Sequence, residues 1–164
     1  MWINYPLRRT FYTPHSIRRL PYSSKLVQYS KYYKTFSNIL EVRTISGEYL
    51  IAMKLMSARN YKNDLSDIVG ILIEHEKMGK SLTFEEIKKA IINLYGDYDK
   101  IPDGSKHFIE DVFKDNNYRN YYFSLRDSES KNFNSLIDFE IKYPDVLTSD
   151  NLNEILKSIR SKQK

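Results

Sequence analysis

The sequence predicts an α+β fold, predominantly α, with a short N-terminal β segment followed by five or six helices in a single domain over residues 1–164. Three observations predict it. Residues 1–47 are aromatic, punctuated by Pro6, Pro14 and Pro21, and show no sustained helical period. From Glu48 onward apolar residues recur at helical spacing. The chain of 164 residues is long enough for one real core, and with only 5 glycines and 5 prolines it is too poor in both for a long disordered tract.

The elements follow in order. Residues 1–37 read as short strands, turns and one helical turn. The segment NILEVRTIS, Asn38–Ser46, alternates imperfectly and predicts a strand with one buried face. A first helix is expected over 48–59 and a second over 63–78. In the second, Leu65, Ile68, Val69, Leu72 and Ile73 form an apolar stripe, and Gly79 can end it. Thr83 with Glu86 is a capping box ahead of Phe84, Ile87, Ile91 and Tyr95, and Gly96 is a natural C-cap. DYDKIPDGS reads as a loop, and residues 104–115 as a fourth helix burying Phe108, Ile109, Val112 and Phe113. Residues 118–142 are helical in period, with a break expected near Ser128–Ser130. Pro144 separates them from a last helix over 149–161.

Composition excludes several classes. The chain has no cysteine, which removes disulfides, thiolate zinc sites and a cysteine nucleophile, and fits a reducing compartment such as the cytoplasm. No apolar run approaches the roughly 20 residues of a membrane span, and no signal-peptide core is visible. The three histidines, His15, His75 and His107, are scattered, and no metal site is expected from them. DYDKIPDG starts like a calcium loop, but Ile101 and Pro102 stand where a ligand and the turn glycine belong.

Charge is unevenly spread. Residues 1–40 hold Arg8, Arg9, Arg18, Arg19, Lys25, Lys31 and Lys34 and no acid, and the remainder is slightly acidic. The same segment carries Trp2, Tyr5, Phe11, Tyr12, Tyr22, Tyr29, Tyr32, Tyr33 and Phe36. Cations interleaved with rings suit nucleic acid, because ammonium and guanidinium groups meet phosphates while rings stack on bases. On that reading Arg8, Arg9, Arg18 and Arg19 are the phosphate-binding candidates. Two other readings stand beside it: a mitochondrial presequence, which is also rich in Arg and poor in acid, and a β segment with half-buried tyrosines.

The second concentration of chemistry is EYLIAMKLMSARNYKNDLSDI, Glu48–Ile68. Lys54 lies in an otherwise apolar helix, Arg59 follows its end, and Asp64 and Asp67 open the next helix. Burying an unpaired ammonium costs several kcal/mol, so Lys54 must snorkel to water or meet an anion, either these aspartates or a phosphate. The aspartates alone are also explained by the helix dipole.

This stretch resembles the distal half of a nucleotidyltransferase-fold family, the minimal nucleotidyltransferases and their bacterial relatives, some of them antitoxins. The matching positions are Glu48, Tyr49, Leu50, Ala52, Met53, Lys54, Leu55, Arg59, Lys62, Asp64 and Asp67, with Trp2–Asn4 and two central segments also similar. The family's catalytic Gly-Ser turn and Asp-x-Asp strand pair have no counterpart here. The resemblance therefore implies a nucleotidyltransferase-like protein or fragment that is catalytically incomplete by itself and acts by binding in an antitoxin-like way. Lys54, Arg59, Asp64 and Asp67 are its candidate pocket residues, with no catalytic set complete. Mg²⁺ and a nucleotide are implied as cofactors only if the missing region is supplied. The alternative is a nucleic-acid-binding protein working through its basic aromatic N-terminus. An active nucleotidyltransferase with an unrecognised site is a further rival. A β segment without partner strands leaves an unpaired edge, from which a homodimer or another protein partner is expected.

Overall fold

The computed structural model describes residues 23–115 and 117–162. A single helical turn, α1 (Leu26–Tyr29), precedes an antiparallel hairpin of β1 (Lys31–Phe36) and β2 (Leu40–Thr44). Helices α2 (Gly47–Ser57), α3 (Asp64–Lys77) and α4 (Phe84–Tyr95) follow. After a 3₁₀ turn at Tyr98–Lys100 come α5 (Asp103–Asp115), α6 (Tyr118–Lys142) and α7 (Leu152–Lys162). The protein is thus predominantly α with a short β segment, and among the described residues six helices follow the hairpin.

Helix α2 is the axis of the helical body. It packs against α3 on one flank and α4 on another, and α3 in turn carries α6. Ile51, Ala52 and Leu55 of α2 meet Ile68, Val69 and Leu72 of α3, Ile87, Ala90 and Ile91 of α4, and Ile109 and Val112 of α5 in one buried cluster. Each large aliphatic chain fully removed from water there contributes roughly 1.5–3 kcal/mol. Gly47 starts α2 against the end of α3, where a β-carbon would land on the ring of His75 and require that side chain to move. The capping box is formed: Thr83 Oγ1 accepts from the Glu86 N–H and the Glu86 carboxylate accepts from the Thr83 N–H. Gly96 adopts the left-handed conformation after α4.

Among the described residues the hairpin is fastened chiefly at its base. Leu26 is buried in the core, Tyr29 stacks on Tyr49 with ring centroids 4.8 Å apart, and Ser23 Oγ donates to the Leu94 carbonyl at 2.9 Å. Ser37 and Asn38 both have positive φ and turn the chain between the strands. The register pairs Lys31 with Thr44, Tyr32 with Arg43, and Lys34 with Val42, leaving Tyr33 as the extra residue of a bulge.

Two sequence expectations are corrected. The strand around Asn38–Ser46 has no buried face: β2 is exposed except for half-buried Val42, and among the described residues no helix packs substantially on the hairpin. Helix α6 does not break near Ser128–Ser130 but runs unbroken from Tyr118 to Lys142. Its middle is held because Glu129 between those serines is buried and bonded to α3.

Candidate functional site

The turn between α2 and α3 brings Lys54, Arg59, Asp64 and Asp67 together. Ala58, in the left-handed conformation, ends α2 and turns the chain back on itself, so that Arg59 faces the first turn of α3. Lys54 Nζ donates to Asp64 Oδ1 at 3.2 Å and to Asp67 Oδ2 at 2.7 Å. Arg59 donates to the Asp64 carboxylate from Nε at 2.8 Å, from Nη2 at 3.2 Å and from its backbone N–H at 3.2 Å. Asp64 is buried, while Lys54, Arg59 and Asp67 are each partly open to solvent.

The electrostatics follow from that geometry. Burial pushes the Asp64 carboxyl up, but the bonds from Arg59 outweigh it and hold the group at about 2. Burial works against the Lys54 ammonium, and its hydrogen bonds to Asp67 and Asp64 more than offset that, raising its pKa. Asp64 raises the pKa of Arg59 in the same way. Two cations and two anions satisfy one another, so the four side chains leave no net charge to draw in a phosphate or a metal ion. Among the described residues no group of His, Asp or Glu is arranged to hold a metal.

One member of this region is not legible as a partner in the sequence. Glu129 of α6 reaches the start of α3, where its Oε1 accepts from the N–H of Leu65 at 2.9 Å and of Ser66 at 3.4 Å. Desolvation raises its pKa, and Oε2 is buried without a hydrogen-bond partner. Nearby, Asn132 Nδ2 donates to the Asn60 carbonyl at 2.6 Å and its Oδ1 accepts from Arg160 of α7 at 2.8 Å. The available signal was spacing: Leu125, Glu129, Asn132 and Leu136 share one helix face, so the two polar residues interrupt an apolar stripe.

The hairpin forms a second candidate surface. Tyr32, Tyr33, Phe36, Ile39 and Leu40 are exposed, Tyr33 at 66% and Ile39 at 89%. Lys34 Nζ lies 4.9 Å from the centre of the Phe36 ring, placing both on one face. Tyr32 bonds through its hydroxyl to Thr35 at 3.0 Å on the other. Arg43 is committed to Glu41 at 2.6 Å and to Ser30. Among the described residues no carboxylate pairs with Lys25, Lys31 or Lys34. Both outer edges of the two-stranded sheet are unpaired among those residues. Arg8, Arg9, Arg18 and Arg19 lie outside the described residues.

Fold and surfaces together define a helical protein bearing one basic, aromatic β-hairpin. No protein-family model, curated protein or solved structure matches the chain. Among the described residues no helix is long and apolar enough to cross a membrane.

Proposed function

We propose that this chain is a nucleic-acid-binding protein whose contact surface is the basic aromatic N-terminal region and whose helical body is a nucleotidyltransferase-like scaffold. The observation that carries the proposal is the hairpin, which holds exposed rings beside lysines that, among the described residues, pair with no carboxylate and lie under no helix. A folded chain normally buries such rings, and large exposed apolar residues on a strand invite a partner. The acid-free stretch of residues 1–40, to which the hairpin lysines belong, holds seven cations in all, which suits a polyanion.

On this reading the Lys54, Arg59, Asp64 and Asp67 cluster is structural. Its charges are spent on one another, and the family's catalytic strand pair has no counterpart in the sequence. A further protein partner, as an antitoxin-like role would require, would find exposed apolar side chains on the same hairpin.

Affinity for RNA and for DNA, measured by fluorescence anisotropy over a salt series, tests the proposal. Binding is expected to weaken steeply with salt, by about 0.7–0.9 log unit per tenfold salt for each phosphate contacted. Absence of binding at low salt would remove the nucleic-acid reading. Transfer of a labelled nucleotide to a protein or RNA acceptor would overturn the scaffold role of the helical body.

A further inference from the structure

We propose that the hairpin binds single strands by stacking unpaired bases on Tyr33 and Tyr32, and does not read a duplex. This deepens the nucleic-acid reading above and rests on it. The bulge is the first argument. Tyr33 is the extra residue with no register partner on β2, and it is 66% exposed. Neither Tyr32 nor Tyr33 packs on another ring among the described residues, whereas Phe36 already lies under Lys34. Two aromatic faces are thus free for a planar partner.

The second argument is what the hairpin lacks. Reading base edges in a duplex groove needs a fork of polar donors, usually arginine, asparagine or glutamine. Arg43, the only arginine of the two strands, is bonded to Glu41 and to Ser30. Apart from Asn38, held in the turn between the strands, what remains is mainly rings and ammonium groups, with Lys31 and Lys34 flanking the two tyrosines in sequence. A duplex hides base faces inside its stack, and only an unpaired base offers one to an exposed ring. A strand the length of β1 spans about 17–20 Å, room for a few nucleotides.

A second copy of the chain is a poorer occupant. In a two-fold symmetric edge pairing the same patch meets itself, which would set the lysines of one hairpin against those of the other. Lysines on an exposed edge strand discourage that contact.

The experiment measures anisotropy of labelled oligouridylate and oligothymidylate against a duplex of equal length, with light scattering on the same samples. The variants are Tyr32→Ala/Tyr33→Ala, Tyr33→Phe and Lys31→Gln/Lys34→Gln, each checked for an unchanged melting temperature. Single strands should bind more tightly than duplex, and the double tyrosine variant should lose about tenfold or more in affinity with its salt slope unchanged. Tyr33→Phe should retain affinity, since the ring and not the hydroxyl does the stacking. The lysine variant should flatten the slope by roughly 1.4, about 0.7 for each phosphate contact. Equal duplex binding, or tyrosine variants that bind normally while the lysine variant does not, would overturn stacking and leave the nucleic-acid reading standing. No binding of any nucleic acid would overturn both. A dimer abolished by the tyrosine substitutions would assign the hairpin to self-association and overturn the proposal.

Discussion

Asp64 shows what a single residue contributes here. It is the one buried carboxylate in the cluster, and it accepts from Lys54 and from both the side chain and backbone of Arg59. Its folded pKa of about 2 lies below the ordinary 3.8. A group whose pKa is lowered by folding stabilises the fold fully above its unfolded value and loses that contribution as pH falls through the folded one. The stabilisation, roughly 2 kcal/mol, should therefore be complete above about pH 5 and fade towards pH 2. Asp64→Asn should cost about 2–4 kcal/mol near neutral pH, towards the lower end for a broken buried pair because Lys54 and Arg59 can regain water. Urea unfolding of both proteins at several pH values checks this, and the gap should narrow in acid. The sequence alone points to all four residues and offers the aspartates as partners for Lys54. It leaves open whether they hold a ligand or one another, because that depends on how tightly the turn at 60–63 closes.

At the scale of elements, α6 is where local reading failed. Serines on either side of Glu129 suggested a break, yet the helix is continuous and Glu129 fastens it to the start of α3. The carboxylate accepts two of the N–H groups that a helix start leaves open, with the dipole favouring its charge. Burial opposes that charge, and Asp67 nearby adds to the opposition, so its pKa lies above the ordinary 4.5. The sign is the reverse of that for Asp64: protonation favours the folded state, and stability falls as pH rises from about 4.5 through the raised value. Glu129→Gln, which keeps an acceptor without the charge, should match or exceed the parent in stability at about pH 8. Glu129→Ala, which leaves the N–H groups of Leu65 and Ser66 bare, should cost about 1–3 kcal/mol. Thermal melts at two pH values separate the cases, and a Gln variant as unstable as the Ala variant would show that the charge itself is needed. Elements with strong local signals were legible beforehand: the Thr83–Glu86 box and the α3 stripe needed no tertiary information.

For the whole molecule, the division of labour is between a packed helical body and a hairpin that adds almost nothing to it. The core draws on α1 to α5, with Ile101 between the 3₁₀ turn and α5, and its partly buried fringe extends to Tyr121, Tyr122 and Leu125 of α6. Leu136 of α6 and Leu156 of α7 are also buried but lie outside that cluster, and α6 and α7 pack together. Replacing Tyr33 or Ile39 by serine should therefore shift stability by no more than about 0.5 kcal/mol, as for other exposed positions. Leu55→Ala, at the centre of the body, should cost about 2–5 kcal/mol. Chemical denaturation of these variants checks the contrast. A large loss from the hairpin substitutions would mean that it is covered in solution.

By itself the sequence determined the predominance of helix, the order of the elements, the N-terminal concentration of cations and rings, and the identity of the four charged residues around the α2–α3 turn. Those are properties of period, cap and composition, which act over a few residues. Only the tertiary structure decided that the four charges neutralise one another, that Glu129 closes the start of α3 from 63–64 residues away, and that the strand has no buried face. Each of these depends on which surfaces meet. Alternation along a strand is the same whether a helix covers it or water does, and a carboxylate has the same sequence neighbours whether its partner is a ligand or the next helix.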